Sequence, residues 1–456
     1  MILEFGLGHH TRRAFPEALF KTAGKKGEFA GWWALFNATF ITLYYITILG
    51  WVVGMFFGAF GGLWKESTLT PAFPMESLPN PVGYFFAMIS SWKPVIYVAF
   101  VWFLNALIVR KGATSIEAAV KVFVPLMWVF MIILIIRGVT LPGGLHGVWL
   151  LFTPNFEVMS NPAVWQGAFS QIFFTLSLGF GVMTAYASYL PKNSDQTNNA
   201  LLTSFLNCGF EYIAGLAVFS ILFAFAVVPQ ASTLAMMFFI VPQGINQLPG
   251  GDPMVLGFGI MFFLLLLMAG LSSSVSLVEG LASAMIDKFK VSRGKAITVF
   301  CIFGALGSCL FALPQVVNPG LENDGTLGLT LLDLFDHWAF SYGLLITGLV
   351  ECVLLGWVFG VHKIREDINK HSKWKLGAWY DWLIKLVIPA LILFVLGYSL
   401  INTEIRQGLY GSAYSANYSE DWKMLASAPI VVLGVWLAVT LGLSALFTLK
   451  GSYKHD

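Results

Sequence analysis

Glu211 stands in the run Asn207-Cys-Gly-Phe-Glu-Tyr-Ile-Ala-Gly-Leu216, within an apolar stretch long enough to enclose it in hydrocarbon. An ionisable group in such a place is costly to keep and is a functional candidate by default. A glutamate bonded to a neighbouring helix is the plainer alternative. A second unusual run, Gln171-Ile-Phe-Phe-Thr-Leu-Ser-Leu-Gly-Phe-Gly181, crowds Ser177, Gly179 and Gly181 into the middle of another apolar segment. Glycine weakens a helix, and serine offers the backbone a competing partner. Non-helical backbone at membrane depth survives only where it is buried in protein or lines a cavity. Carbonyls and half-helix ends freed there can coordinate a cation or an anionic group. Close helix packing through small residues is the competing reading, and composition alone favours it. The hydroxyls of Ala269-Gly-Leu-Ser-Ser-Ser274 mean little in isolation, because serines in membrane helices most often bond back to the carbonyl one turn earlier. Glu279 and Glu351 also sit in apolar segments and suit polar networks between helices. Enzymatic chemistry finds no support: there is no HExxH, no nucleophile with a base, and the seven histidines fall in loops or at helix ends.

The elements that hold these groups are membrane helices. Of 456 residues, 57% are hydrophobic and 11% charged, against about 25% charged in ordinary soluble domains; mean hydropathy is +0.76. Crossing the hydrocarbon core takes about 20 apolar residues, and such stretches are expected near 29–62, 94–109, 115–138, 164–190, 198–229, 254–287, 294–313, 335–361, 378–401 and 426–448. These make an all-α polytopic membrane protein of about ten spans, with no separate soluble domain. Ala231–Pro249, interrupted by Pro-Gln-Gly, is too short to span and is expected as a re-entrant or surface hairpin. The 16 Trp, 14 Tyr and 41 Phe suit interfacial and lipid-facing surface. All four cysteines fall inside apolar segments, which favours buried thiols over a disulfide framework. Nineteen of the 26 Lys and Arg lie in one alternate set of loops and five on the other side, so the positive-inside rule puts both termini in the cytoplasm.

Phe173-Phe-Thr-Leu-Ser-Leu-Gly-Phe-Gly181, followed by Tyr186-Ala-Ser-Tyr189, is very similar to the unwound sixth helix of the neurotransmitter:sodium symporters, the family from which the general picture of broken-helix transporters is drawn. Tyr44-Tyr45 with Trp51 resembles that family's third helix, Asn207 and Glu211 its seventh, Ala269 to Ser274 its eighth, and Asp336-His-Trp338 with Glu351 its tenth. These matches fall in order over nearly the whole chain and reverse the preference for simple packing. The resemblance, closest to leucine-transporter-like bacterial members, implies sodium-coupled symport of a small apolar amino acid across a bacterial inner membrane. Sodium is then the coupling ion, with no organic cofactor and no nucleic-acid partner. Helices one to five and six to ten of this family form inverted repeats, which here correspond to 29–138 and 164–361, with two peripheral helices over 378–448.

Carried over position by position, Ile41, Tyr45, Phe174, Thr175, Ser177, Phe180, Ser273 and Leu277 match residues lining the family's central pocket, where Tyr45 would donate its hydroxyl to a substrate carboxylate. Alone, Tyr44-Tyr45 would pass for a helix-packing pair. Thr175 and Asn207 match ligands of one sodium site; the Ala269 carbonyl with the Ser272 and Ser273 hydroxyls match those of the other. Chloride-dependent members lack an acid at Glu211, so the resemblance implies that Glu211 supplies the negative charge and that transport is chloride-independent. Asp336 matches the acid of the extracellular gate, and Asp287 with Tyr189 the intracellular gate; in the family the partner arginines lie near the first helix.

Met1-Ile-Leu-Glu-Phe-Gly-Leu-Gly8 resembles the cytoplasmic end of the second helix, with Glu4 reaching toward the broken sixth, and 9–28 as the following loop. On that expectation helix one and most of helix two precede the residues present, half of the site lies among them, and the chain as written is inactive. A non-transporting remnant or substrate sensor that keeps the fold is the alternative, against which retention of both sodium half-sites argues.

Overall fold

The computed structural model describes residues 1–65, 68–69, 77–78, 81–227, 232–317, 325–412, 427–450 and 453. Among them the chain is mostly helical, with an antiparallel pairing of Thr68–Leu69 with Ser77–Leu78 and an isolated bridge between Val316 and Thr326. The helices are α1 (Ile2–Thr11), α2 (Phe15–Gly61), α3 (Val82–Ile89), α4 (Lys93–Val109), α5 (Ala113–Thr140), α6 (Gly144–Phe152), α7 (Pro162–Thr175), α8 (Val182–Tyr189), α9 (Gln196–Ala224), α10 (Thr233–Asn246), α11 (Asp252–Phe289), α12 (Arg293–Ala312), α13 (Leu327–His371), α14 (Trp379–Ile405) and α15 (Pro429–Leu449). Eight of these are long and apolar enough to cross a membrane; α3 and α4 pass the same test as a pair bent by 85°. The remaining expected span, 164–190, is the interrupted pair α7 and α8.

Two stretches differ from expectation. Residues 15–22, expected as loop, form the first turns of α2: Pro16 and Glu17 suit a helix start, and Phe15, Ala18 and Leu19 share a face buried against Val361, Ile364 and Ile368 of α13. The element is interrupted at Gly24, whose φ of 62° is available to glycine at little cost, and then runs on to Gly61. Ala231–Pro249 is not a hairpin over its described residues. Thr233–Asn246 is one short helix that passes through Pro242 because Met236–Ile240, just ahead of Val241, widen into a π turn that absorbs the hydrogen bond proline cannot donate.

α2 is the most enclosed of the long apolar helices and α5 the least. α2 packs along α11 more extensively than any other pair of helices meets, and the largest core cluster joins α2 to α11, α13 and α15 through Trp51, Phe263, Trp338 and Trp436. One polar group crosses this core. Asn37, fully buried, donates to the Ala339 carbonyl at 3.0 Å and accepts from Trp436 Nε1 at 3.0 Å. It packs against Gly343, where a Cβ would come within 2.4 Å of the Asn37 side chain. Asn37→Ala is expected to leave the indole N–H and the carbonyl unpaired, at a cost of about 1–3 kcal/mol. A thermal midpoint measured in detergent that did not fall would show that these bonds add nothing to the packing of α15 on α2.

Candidate functional site

α7 ends at Thr175 by a Schellman motif. Leu178 N–H reaches back to the Phe173 carbonyl at 2.8 Å, and Ser177 N–H to the Phe174 carbonyl at 3.0 Å. The left-handed position of that motif normally belongs to glycine; here Ser177 takes it at φ 53°, against a steric preference of roughly 1–2 kcal/mol. Gly179 (φ 75°) and Gly181 (φ 71°) then turn the chain into α8. The interruption expected at 175–181 is therefore six residues, 176–181, between two helices. It is pinned from below the break by α1: Glu4, buried, accepts the Gly179 N–H at 2.9 Å, as expected for a glutamate reaching toward this segment.

Three polar side chains meet where α7 stops. Asn207 Nδ2 on α9 donates to Thr175 Oγ1 at 2.7 Å, and the Thr175 hydroxyl in turn donates to Glu211. The spacing of Asn207 and Glu211, four residues, puts both on one face of α9 toward the end of α7. Glu211 is nevertheless exposed, as are Leu202, Phe205, Leu206 and Tyr212 on the opposite face of α9. Only Thr175 bonds to its carboxylate among the described residues.

On the other side of the break, α2 and α11 contribute Tyr45 and Ser273, whose hydroxyls face each other. Phe174 lies edge-on to Tyr45 (6.4 Å between ring centres), to Phe180 (6.2 Å) and to Phe340 of α13 (5.2 Å). Ile41 and Phe180 are buried in the same apolar cluster, with Leu277 packed at its margin. The half-exposed face of α11 presents Ala269, Ser272, Ser273 and Leu277. Ser272 bonds back to the Ala269 carbonyl at 2.7 Å, the local bond common for such serines, which also holds the two oxygens side by side. Ser274 is a packing residue: it donates to Asn105 at 2.9 Å and is wholly buried. The structure thus brings together residues from α2, α7, α9 and α11 around one interruption and offers hydroxyl, amide and carboxylate oxygens there, a donor set suited to a hard cation.

The three acidic or phenolic positions farther along the helices have separate surroundings. Tyr44 faces Asp336, which forms no ion pair among the described residues. Asp287 accepts the Ala14 N–H at 2.8 Å and stands 3.9 Å from the Arg13 guanidinium, so a cation in the turn before α2 engages it. Tyr189 joins a different acid: its hydroxyl donates to Glu279 at 2.9 Å and lies 2.6 Å from Ser283. Glu279, fully buried, is also paired with Arg293 at the start of α12, which bonds the last carbonyl of α4. This is the polar network between helices expected for Glu279; the sequence did not show that Tyr189 belongs to it.

A model described as the sodium:neurotransmitter symporter family matches residues 86–445. An uncharacterized sodium-dependent transporter of Methanocaldococcus jannaschii is 36% identical over 471 aligned residues, covering 99% of this chain and 88% of the relative. A sodium-dependent transporter of Haemophilus influenzae is 29% identical, covering 82% of this chain and 79% of its own. The crystal structure of MhsT in complex with L-phenylalanine superposes with a TM-score of 0.71 at 28% identity, covering 87% of this chain and 86% of MhsT.

Proposed function

The chain belongs to the sodium:neurotransmitter symporter family, a family of sodium-coupled membrane transporters, and we propose that its own substrate is a small apolar amino acid, carried without chloride. The observation that carries this reading is the chain of bonds from Asn207 through Thr175 to Glu211 at the point where α7 stops. Sodium, as the co-transported ion, requires several oxygen ligands in a place where the bilayer supplies none. Thr175 and Asn207 form one half-set and Ala269, Ser272 and Ser273 another. Tyr45 holds the substrate carboxylate, Phe174, Thr175 and Ser177 line the pocket beside it, and Ile41, Phe180 and Leu277 enclose the apolar side chain. MhsT, a relative in fold and sequence, has been crystallised with an amino acid whose side chain is apolar, which supports that substrate class.

Glu211 supplies a fixed negative charge beside the sodium ligands. Both termini lie in the cytoplasm; Asp336 belongs to the outer gate, Asp287 and Tyr189 to the inner one, and 29–138 and 164–361 are the two repeats that rock against each other, with 378–448 peripheral.

The test is uptake of labelled neutral amino acids by the intact protein in proteoliposomes under an inward sodium gradient. Uptake is expected to be unchanged when gluconate replaces chloride. Glu211→Ser is expected to lose about 1.5–3 kcal/mol of sodium binding, the worth of a charged hydrogen-bonding partner, and to regain part of it when chloride is added. Collapse of wild-type uptake in gluconate would remove the role given to Glu211. Absence of sodium-driven uptake for every neutral amino acid, with sodium still bound, would favour a sensor that keeps the fold.

A further inference from the structure

A buried polar cluster lies at the Asp336 end of α13, outside the site described above, and its geometry has an uncommon origin. His337–Leu344 of α13 and Leu400–Ile405 of α14 are both π-helical. In a π-helix residues five apart come onto one face. His337 and Tyr342 are five apart, and both reach Glu404: His337 Nε2 at 2.8 Å and the Tyr342 hydroxyl at 3.2 Å from Oε1. Ser399 and Glu404 are five apart on α14, and both meet Tyr342, with Ser399 Oγ 3.1 Å from its hydroxyl. Two widened turns therefore face each other in matching register. The second Glu404 oxygen accepts the Tyr410 N–H at 2.9 Å. The Tyr410 ring lies flat on the His337 imidazole, centres 3.9 Å apart, and its hydroxyl donates to Asp333 at 3.1 Å. Gln166 of α7, the helix that leads into the break, donates to Ser399 at 2.8 Å.

We propose that Glu404 is a positioning residue for the α13 segment that carries Asp336, and that His337 makes its grip proton-dependent. The importance of Asp336 rests on the functional reading above; the strut itself does not. Glu404 is 8% exposed, and three donors converge on its carboxylate, so it is held as an acceptor whatever the charge on His337. Protonation of His337 turns one neutral hydrogen bond into a charge-assisted pair in a low-dielectric place, where it is strongest. The titratable groups facing the imidazole are Glu404 from α14, Asp333 and Tyr342 from α13, and Tyr410; no cation touches it among the described residues. The desolvation of an imidazolium that is 11% exposed outweighs that gain, so acid loosens α14 and, through Ser399 and Gln166, α7 on the Asp336 segment. Alkali tightens them.

The test uses the protein in lipid nanodiscs, as wild type, His337→Gln, Glu404→Gln and Glu404→Asp. Hydrogen–deuterium exchange of residues 333–344 and 399–410, corrected for intrinsic rates, is compared at about pH 5.5 and 8, the range in which histidine changes charge. In the wild type both segments are expected to be about tenfold more protected at the higher pH, within the usual range of coupling between sites. His337→Gln and Glu404→Gln should abolish that difference, and Glu404→Asp should restore part of it. In proteoliposomes the wild-type KM should move with pH while kcat changes little, and His337→Gln should hold KM constant. A pH difference in exchange that persists in His337→Gln, or that is missing from the wild type, overturns the proposal. Because His337→Gln alone decides this, failure of a Glu404 variant to fold leaves the outcome intact. Normal exchange behaviour with no sodium-driven uptake in any protein would support the strut and refute the transport reading instead.

Discussion

Thr175→Val is expected to weaken sodium binding by about 30- to 150-fold, the largest loss among single-atom changes at the break. The substitution keeps the shape of the side chain and removes one hydroxyl. That hydroxyl is both the acceptor for Asn207 and the donor to Glu211, so its removal separates the amide from the carboxylate. A hydrogen bond to a charged group contributes about 1.5–3 kcal/mol, and each 1.4 kcal/mol is tenfold in affinity. Only Thr175 bonds to Glu211 among the described residues, which is why the loss falls at the upper part of that range. Thr175→Ser keeps the hydroxyl and should stay within a few-fold of wild type, as expected where an interaction rather than a shape is being measured. Binding of radioactive sodium to the purified protein is the measurement. Equal affinities in Thr175→Val and wild type would show that the ion is held elsewhere.

The same residues show why part of this site is legible in the sequence and part is not. Serine and glycines in the centre of an apolar run weaken a helix locally and are visible within ten positions, but composition alone favours close packing there, and the family resemblance is what turns the reading to a break. What the sequence does not display is how the break is closed: Ser177 stands where a Schellman motif would normally have glycine, so the last turn of α7 carries no glycine signal at that position. The pairing of Glu4 with the Gly179 N–H spans 175 positions, and only the family resemblance hints at it. Glu279 and Arg293 are separated by the turn between α11 and α12, and their pairing with Tyr189 depends on where α8 is laid against α11. The π turns at 337–344 and 400–405 have no compositional mark, and that at 236–240 has only the proline that follows it. Spans and their order follow from apolar length, a property summed over twenty residues. Side-chain partners follow from register between helices, which a shift of one residue alters.

Lys288→Met is expected to destabilise the protein by about 3–5 kcal/mol, more than any surface change of the same size. Lys288 Nζ lies 2.5 Å from Glu28 Oε1, and the two side chains are 0% and 3% exposed. Trp32 Nε1 donates to the same carboxylate oxygen at 3.4 Å, and the Tyr453 ring lies 4.5 Å from the ammonium. The pair joins α2 to the last turn of α11, directly beside Asp287, which the turn before α2 holds through Arg13 and Ala14. Desolvating both charges costs nearly what their attraction returns, so the pair itself adds little net stability. Removing one partner, by contrast, strands the other charge in an apolar enclosure. The double substitution Glu28→Gln with Lys288→Met should therefore recover most of what Lys288→Met loses, giving a coupling energy of about 2–3 kcal/mol in a double-mutant cycle, the upper part of the range for residues in contact. The midpoint of chemical unfolding in detergent micelles measures all four corners. If the single and double variants were equally destabilised, the loss would come from the packing of Trp32 and Tyr453 around the pair, and the ends of α2 and α11 would be joined by shape rather than by charge.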